Sequence, residues 1–181
     1  MATYEEISAT WFPLRFKKEC GSFEAFERES AQDDRQASKV LIERMSFEAP
    51  RTARAVFGLD DFGEGLESIE ILDAHLSPAF ADSWMRNSDP CDPNNHFKLT
   101  LSEFSAHYGE VMVRILGGGW NFARMPNYFE SKVVVGDYLF NVFDALMKRC
   151  SDDYSETELC VKLVAFARHI ERRDSSKSFG L

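Results

Sequence analysis

Residues 99–120, LTLSEFSAHYGEVMVRILGGGW, constrain the fold more than any other part of the sequence. Thr100 and Glu103 have the spacing of a capping box, which predicts that a helix begins there. The glycine run at residues 117–119 predicts its end, because glycine readily takes the left-handed conformation that closes a helix. At about 100° per residue, one broad face of this helix is apolar. Its members are Leu101, Phe104, Tyr108, Val111, Met112 and Ile115.

Small side chains form a second face of the same helix, against which another backbone could pack closely. They are Ser102, Ser105, Ala106, Gly109 and Val113. Only a narrow stripe is left polar, and it consists of Glu103, His107, Glu110 and Arg114. A helix with two faces suited to packing is expected at the centre of a fold. The bland interpretation of the stripe is a solvated edge, with Glu110 and Arg114 as an ion pair one turn apart.

The rest of the chain predicts further helices and one small sheet. A capping box at Thr3 and Glu6 opens a short helix that Pro13 ends, and helical segments follow between residues 22 and 45. Residues 49–51, with Pro50, are expected to start a connection, and residues 64–76 form the next helix. Residues 83–96 have the composition of a turn-rich loop.

After the central helix the apolar period changes. Residues 120–125 alternate, residues 132–135 and 138–140 are expected to be two strands joined by a tight turn, and residues 143–150 form a helix. Ser155 and Glu158 are expected to cap a final helix. This order predicts one α+β domain over residues 1–181: a helical N-terminal part (1–57), a core with the central buried helix, a small antiparallel meander and C-terminal helices (58–173), and a frayed tail (174–181).

Composition excludes several classes of function. The formal net charge of −9 argues against nucleic-acid binding, because neutralising phosphates needs a basic surface. The first residues show neither a basic nor an apolar signal region, and no stretch approaches the roughly 18 apolar residues of a membrane helix. The four cysteines form no C-x-x-C pair, so we expect reduced thiols in a cytoplasmic protein.

Two groups of residues could bind a metal in an enzyme. Glu103, His107 and Glu110 fall at i, i+4 and i+7, but such bundle sites draw ligands from several helices, and no other helix offers a matching set. Cys91 and His96 share a loop, yet a zinc site needs three or four ligands, and a loop rich in Asp, Asn and Pro is the simpler interpretation. We therefore expect no metal, no cofactor and no catalytic residue, and the metal-dependent enzyme stays the alternative.

Acidic residues without neighbouring cations distinguish the region after Arg54. No lysine or arginine occurs between Arg54 and Arg86, whereas acidic residues recur through that span. Cations from elsewhere in the fold could neutralise it; otherwise it forms a negative surface that captures a basic partner and orients it. The residues expected to bind a partner are Asp60, Asp61, Glu64, Glu67, Glu70 and Asp73, together with Trp84, Asp89 and Asp92 of the following loop.

Three segments resemble a group of small bacterial domains of unknown function, some of which are immunity proteins encoded beside polymorphic toxins. The segments are ESIEILD (residues 67–73), YGEVMVRILGGGW (108–120) and FDALMKR (143–149). The resemblance covers about residues 60–149, and it transfers no catalytic residue. It implies structural roles for Gly109, Glu110, Gly118, Gly119 and Trp120. Gly109 would permit close packing, Trp120 would pack the first strand on the helix, and Glu110 would orient one of them.

The sequence thus favours a cytoplasmic immunity protein that neutralises a basic toxin domain by direct contact through an acidic face. Trp84 is the expected aromatic anchor of that contact, since aromatic side chains dominate binding at interfaces. A scaffold or oligomer, in which exposed aromatics form a self-interface, is a third possibility.

Overall fold

The computed structural model describes residues 2–9, 34–88, 95–125, 127–154 and 158–167. The first helix, α1, covers Tyr4–Ala9. It opens with the predicted capping box: a Glu6 carboxylate oxygen accepts from the Thr3 backbone N–H, and Thr3 Oγ1 accepts from the Glu6 backbone N–H. Pro13, which was expected to end this helix, lies outside the described residues.

The second helix, α2, runs over Arg35–Phe57 and continues through Pro50. The predicted break at residues 49–51 is therefore wrong. Proline removes one backbone bond, and in α2 the packing of a buried face outweighs that loss. The buried face consists of Ser38, Ile42, Met45, Ala49 and Ala53. Asp34 caps the start of α2, and Gly58, with φ of 70°, ends it.

Two short helices follow: α3 covers Leu66–His75, close to the predicted residues 64–76, and α4 covers Pro78–Arg86. Because α4 extends to Arg86, the loop predicted over residues 83–96 is wrong at its beginning. Pro78 stands in the first turn of α4, where its missing N–H would have had no helical partner. Residues 89–94 lie outside the described residues.

The central helix, α5, covers His96–Leu116. It begins four residues before the predicted Thr100, because the Asn95 side chain accepts a backbone N–H of the first turn and so caps the helix. Thr100 is buried within the helix, so the predicted capping box is wrong. The predicted end is confirmed, since Gly117 adopts φ of 69° there.

A three-stranded antiparallel sheet follows, in the order β1 (Gly119–Asn121), β2 (Lys132–Val135) and β3 (Tyr138–Phe140). Trp120 is paired with Val133, and β2 and β3 join through a turn at residues 136–137. This is the predicted meander, although β1 is shorter than the alternation over residues 120–125 suggests. A single 3₁₀ turn, Tyr128–Glu130, lies between β1 and β2.

Helix α6 covers Val142–Cys150, and its buried face includes the predicted Phe143, Leu146 and Met147. A 3₁₀ turn at Asp152–Tyr154 follows, and a final helix, α7, occupies residues 159–167. Ser155, the predicted cap of that helix, lies outside the described residues.

Helix α5 lies at the centre of the core, with α2, α6 and β2 packed on it. Of its side chains, Phe97, Leu101 and Phe104 are fully buried, as the prediction of a central buried helix requires. The fold is α+β. Helix α2, which belongs to the helical N-terminal part predicted over residues 1–57, contributes to the same hydrophobic cluster as α5. None of the described helices is long and apolar enough to cross a membrane.

Candidate functional site

The polar stripe of α5 packs against other helices at Glu103 and His107, where the prediction that it is solvated is wrong, whereas the Arg114 side chain is exposed as predicted. Glu103 accepts a hydrogen bond from the Thr52 hydroxyl of α2, and burial raises the pKa of its carboxyl group. His107 is only 4% exposed, and its Nε2 lies 2.7 Å from Ser68 Oγ of α3. The stripe therefore joins three helices through polar contacts.

Ser68 Oγ lies between two partners. It is 2.7 Å from the Gly65 carbonyl oxygen, to which it donates, and 2.7 Å from His107 Nε2; with the hydroxyl hydrogen on the carbonyl, Nε2 is the donor to Ser68 Oγ. Burial, reinforced by Arg114, lowers the pKa of His107 to about 4, so the ring is neutral at pH 7. Because Ser68 is fully buried, its hydroxyl is out of reach of a substrate. The pair is structural.

Glu110, Gly109 and Trp120 form one unit that packs β1 on α5. Glu110 Oε1 accepts from the indole Nε1 of Trp120 at 2.8 Å. A Cβ atom on Gly109 would lie 2.2 Å from Trp120 Cζ2, so the indole occupies the space that a side chain at Gly109 would fill. The close packing expected at Gly109 and the packing of the first strand by Trp120 are present, and the residue that Glu110 orients is the tryptophan. Gly118 is equally constrained, since its Cβ would lie 2.3 Å from a β2 carbonyl oxygen, whereas a Cβ on Gly119 would meet open space.

The residues weighed for a metal site do not converge. Glu103, His107 and Glu110 are each engaged by a different partner, as described above. Cys91 lies outside the described residues, and His96 is the exposed first residue of α5. Within the described ranges, no three His, Cys, Asp or Glu side chains are grouped closely enough to hold a metal ion.

A cleft of about 390 Å³ opens between α2 and α5. It is lined by Glu43, Ser46, Phe47, Pro50, Glu64, His107, Glu110, Val111 and Arg114. The aromatic ring at its edge belongs to Phe47, whose side chain is 81% exposed. An acidic cleft beside an exposed aromatic side chain is suited to contact with another molecule.

Charge in this cleft is only partly compensated. Arg114 Nη1 lies 3.1 Å from Glu64 Oε2, so it pairs with Glu64 and not with the predicted Glu110. Glu43 has Lys39 at 3.8 Å, a loose and exposed contact. The cleft therefore contains three carboxylates, one guanidinium group and one neutral imidazole. They belong to Glu43, Glu64, Glu110, Arg114 and His107.

The acidic segment, residues 60–73, continues from the rim of the cleft at Glu64. Asp60 pairs with Arg54 at 3.0 Å, so cations from outside the segment do neutralise part of it. Asp61 and Glu70 are exposed and have no ion pair among the described residues. Glu67 is also exposed, and backbone N–H groups, including that of Gly65, lower the pKa of its carboxyl group. An exposed negative surface remains at these positions.

Asp73 lies apart from this surface. Its carboxylate accepts from the backbone N–H groups of Leu159 at 2.8 Å and Cys160 at 2.7 Å, and it pairs with Arg149 at 3.3 Å. Only 13% of the side chain is exposed. Asp73 thus fixes the first turn of α7 and is not available to a partner. The expectation that Asp73 belongs to the partner-binding residues is therefore wrong.

Comparisons of the chain with models of protein families, with curated proteins and with solved structures find no match. The resemblance to immunity-protein domains therefore stays a prediction from the quoted segments. A functional proposal is therefore based on the geometry of the cleft.

Phe47 is the candidate site residue that sequence reasoning missed, and it takes the place expected for Trp84. Trp84 is partly buried, with its ring 5.7 Å from that of Phe80. Asp89 and Asp92 lie outside the described residues. Val40 and Phe47, seven residues apart, lie opposite the buried face of α2 and are exposed. The predicted helical segments ended at residue 45, so Phe47 lay outside them and the pattern was not recognised.

Proposed function

We propose that this protein is a non-enzymatic binding protein that captures a basic protein partner through the cleft between α2 and α5 and the adjoining acidic segment. The observation that carries the proposal is Phe47, an exposed phenylalanine at the edge of a cleft lined by carboxylates. The resemblance noted in the sequence adds the biological role: an immunity protein that neutralises a bacterial toxin by covering a surface needed for its activity.

The surface has the parts that a specific interface needs. Interfaces concentrate binding energy in a few aromatic or Arg side chains surrounded by polar contacts that exclude water. Phe47 supplies the aromatic anchor, and Val40, two turns away on α2, extends the apolar strip. Glu43 and Glu64 supply polar groups next to the anchor. A partner that presents Arg or Lys side chains around an apolar pocket would match this arrangement.

Electrostatics supports a basic partner. The whole chain carries a formal charge of −9, and Asp61, Glu67 and Glu70 are exposed in the acidic segment. Complementary charge accelerates association and orients the two proteins before they touch. A toxin domain that acts on nucleic acid has a positively charged active-site cleft, and it is the partner class that we propose. The same charge disfavours direct binding of nucleic acid.

The test uses the product of the reading frame beside this one as the candidate partner, with an inactive form of it for binding measurements. The purified proteins should form a complex, and Phe47→Ser should weaken it by about thirtyfold or more, the loss typical of an interface hot spot. Val161→Ser is the control, because Val161 is also an exposed apolar residue but lies on α7. It should leave the affinity unchanged.

Two results would overturn the proposal. Absence of binding between the purified proteins would remove the immunity role. Light scattering that shows a dimer of this chain, dissociated by Phe47→Ser, would assign the same surface to self-association and favour the scaffold hypothesis.

A further inference from the structure

A second cavity, of about 530 Å³, lies between β3, α6 and α7. It is lined mainly by apolar side chains, among them Met112, Leu139, Phe140, Val142, Ala145 and Phe166. Cavities of roughly 300–1,000 Å³ with an apolar lining and a few polar groups are typical small-molecule sites. This cavity has the size and the lining of such a site, and the function proposed above does not use it.

The walls of the cavity are ordered by ring contacts. The Phe166 ring packs edge-on against Phe140, with centroids 4.4 Å apart, and against Tyr138 at 4.9 Å. Tyr108, at the α5 side, donates its hydroxyl hydrogen to the Leu159 carbonyl oxygen at 3.2 Å, so its polar atom is already satisfied. The side chains that form the cavity walls are therefore fixed by ring contacts and by a hydrogen bond.

The polar lining of the cavity includes one carboxylate, that of Asp144, and one ammonium group, that of Lys162. Asp144 accepts a hydrogen bond from the Tyr4 hydroxyl at 2.5 Å and pairs with Lys148 at 2.9 Å, which offsets its charge. Lys162 also lines the cavity, and no carboxylate of the described residues lies within ion-pair distance of its Nζ. An uncompensated ammonium beside an apolar cavity favours a ligand that is apolar with one anionic group.

Lys162 is the group at this end that is left to pair with an anion. The first turn of α6 borders the cavity, but the partial positive charge of its N-terminus already faces the Asp144 carboxylate in that turn and the Asn141 side chain, which accepts the Asp144 backbone N–H. Burial and the nearby Lys148 lower the pKa of Lys162, while Asp144 raises it. An anionic ligand would supply the compensation that Asp144, already paired, provides only in part.

We propose that this cavity binds a medium-chain fatty acid, with the hydrocarbon chain among the apolar side chains and the carboxylate paired with Lys162. The occupant is a free small molecule, and the binding is reversible. It does not depend on the partner proposed for the cleft, whose walls are α2 and α5.

Titration calorimetry of the full chain with decanoic acid and with decanol tests the proposal. Decanoate should bind saturably, and Lys162→Met should weaken it about three- to fivefold while leaving decanol unchanged, because only the acid uses the ammonium. Lys39→Met is the matched control, since Lys39 lies on α2 away from the cavity. It should change neither affinity.

A second pair of variants tests whether the ligand binds in this cavity. Ala165→Phe should block the binding of both molecules, because Ala165 is an exposed residue that lines the cavity. Ala55→Phe, at an exposed position of α2, should not. Circular dichroism confirms that each variant folds. Failure of decanoate to bind, equal loss for acid and alcohol in Lys162→Met, or unchanged binding in folded Ala165→Phe would each overturn the proposal.

Discussion

Trp120 Nε1 donates a hydrogen bond to Glu110 Oε1 over 2.8 Å and thereby ties the first strand to the central helix. The indole lies directly over Gly109, where a Cβ atom would come within 2.2 Å of the ring. Strand, helix and glycine are thus fixed together, and the position of the sheet on α5 depends on this contact.

The glycine under the indole gives the first prediction. Gly109→Ala should destabilise the protein by about 1 kcal/mol, because overpacking against the indole costs about 1–3 kcal/mol and alanine in a helix regains only about 1 kcal/mol of this. Denaturant unfolding measures the change. Gly119→Ala, whose Cβ meets open space, should stay within about 0.5 kcal/mol of the wild type. Equal effects of the two substitutions would contradict the packing described here.

His107 gives a prediction about pH. Its pKa is lowered from 6.5 to about 4 in the folded state, so the unfolded chain binds the proton first as the pH falls. His107 therefore leaves the free energy of unfolding unchanged above pH 6.5. As the pH falls from 6.5 to about 4, protonation of this histidine in the unfolded chain lowers the free energy of unfolding by about 3 kcal/mol in total.

The substitution His107→Gln removes this titratable group and leaves all other titratable groups in place. The difference in unfolding free energy between wild type and variant should thus shrink as the pH falls from 7 to 4. Parallel stability curves for the two proteins across this range would show that His107 is not a buried neutral group.

Asp73 and Glu70, on the same helix, should behave differently. Asp73→Asn should cost about 3 kcal/mol, because it weakens the hydrogen bonds from two backbone N–H groups of α7 and removes the carboxylate charge that pairs with Arg149 in a largely buried position. Exposed Glu70→Gln should change stability by less than about 0.5 kcal/mol. Hydrogen exchange should show faster opening of residues 159–167 in Asp73→Asn alone. Unchanged exchange there would mean that Asp73 does not anchor α7.

How far the sequence predicts the fold depends on whether local signals decide each element. Gly117 ends α5 and the turn at residues 136–137 joins two strands as predicted, because glycine and turn chemistry act within a few residues. Pro50 was expected to break α2, yet packing of a buried helix face outweighs one lost hydrogen bond. Tertiary packing prevails over local preference at that position.

The site was harder to predict, because its residues meet only in the folded chain. The stripe on α5 has the pattern of a solvated edge, but Thr52 and Ser68 come from distant segments to bind Glu103 and His107. Phe47 was missed because its exposure depends on the direction in which α2 faces α5. The spacing of residues along one helix predicts neither these contacts nor the exposure of Phe47.

Charge on the acidic segment leads to a kinetic prediction. Reversal of Asp61, Glu67 and Glu70 to lysine should slow association with a basic partner about tenfold at low salt, since steering by complementary charge raises association rates. Stopped-flow or interferometry at two salt concentrations measures the rate, and the difference should diminish at high salt. Identical rates at low salt would remove the acidic segment from the binding surface.

A partner that covers Phe47, the cleft and the acidic segment should slow backbone hydrogen exchange at those residues. Hydrogen exchange of the chain is therefore measured with and without the product of the neighbouring reading frame. We expect slower exchange in residues 40–50 and 60–70 on complex formation and no change in residues 159–167. Protection confined to α7, with residues 40–50 unaffected, would contradict this expectation.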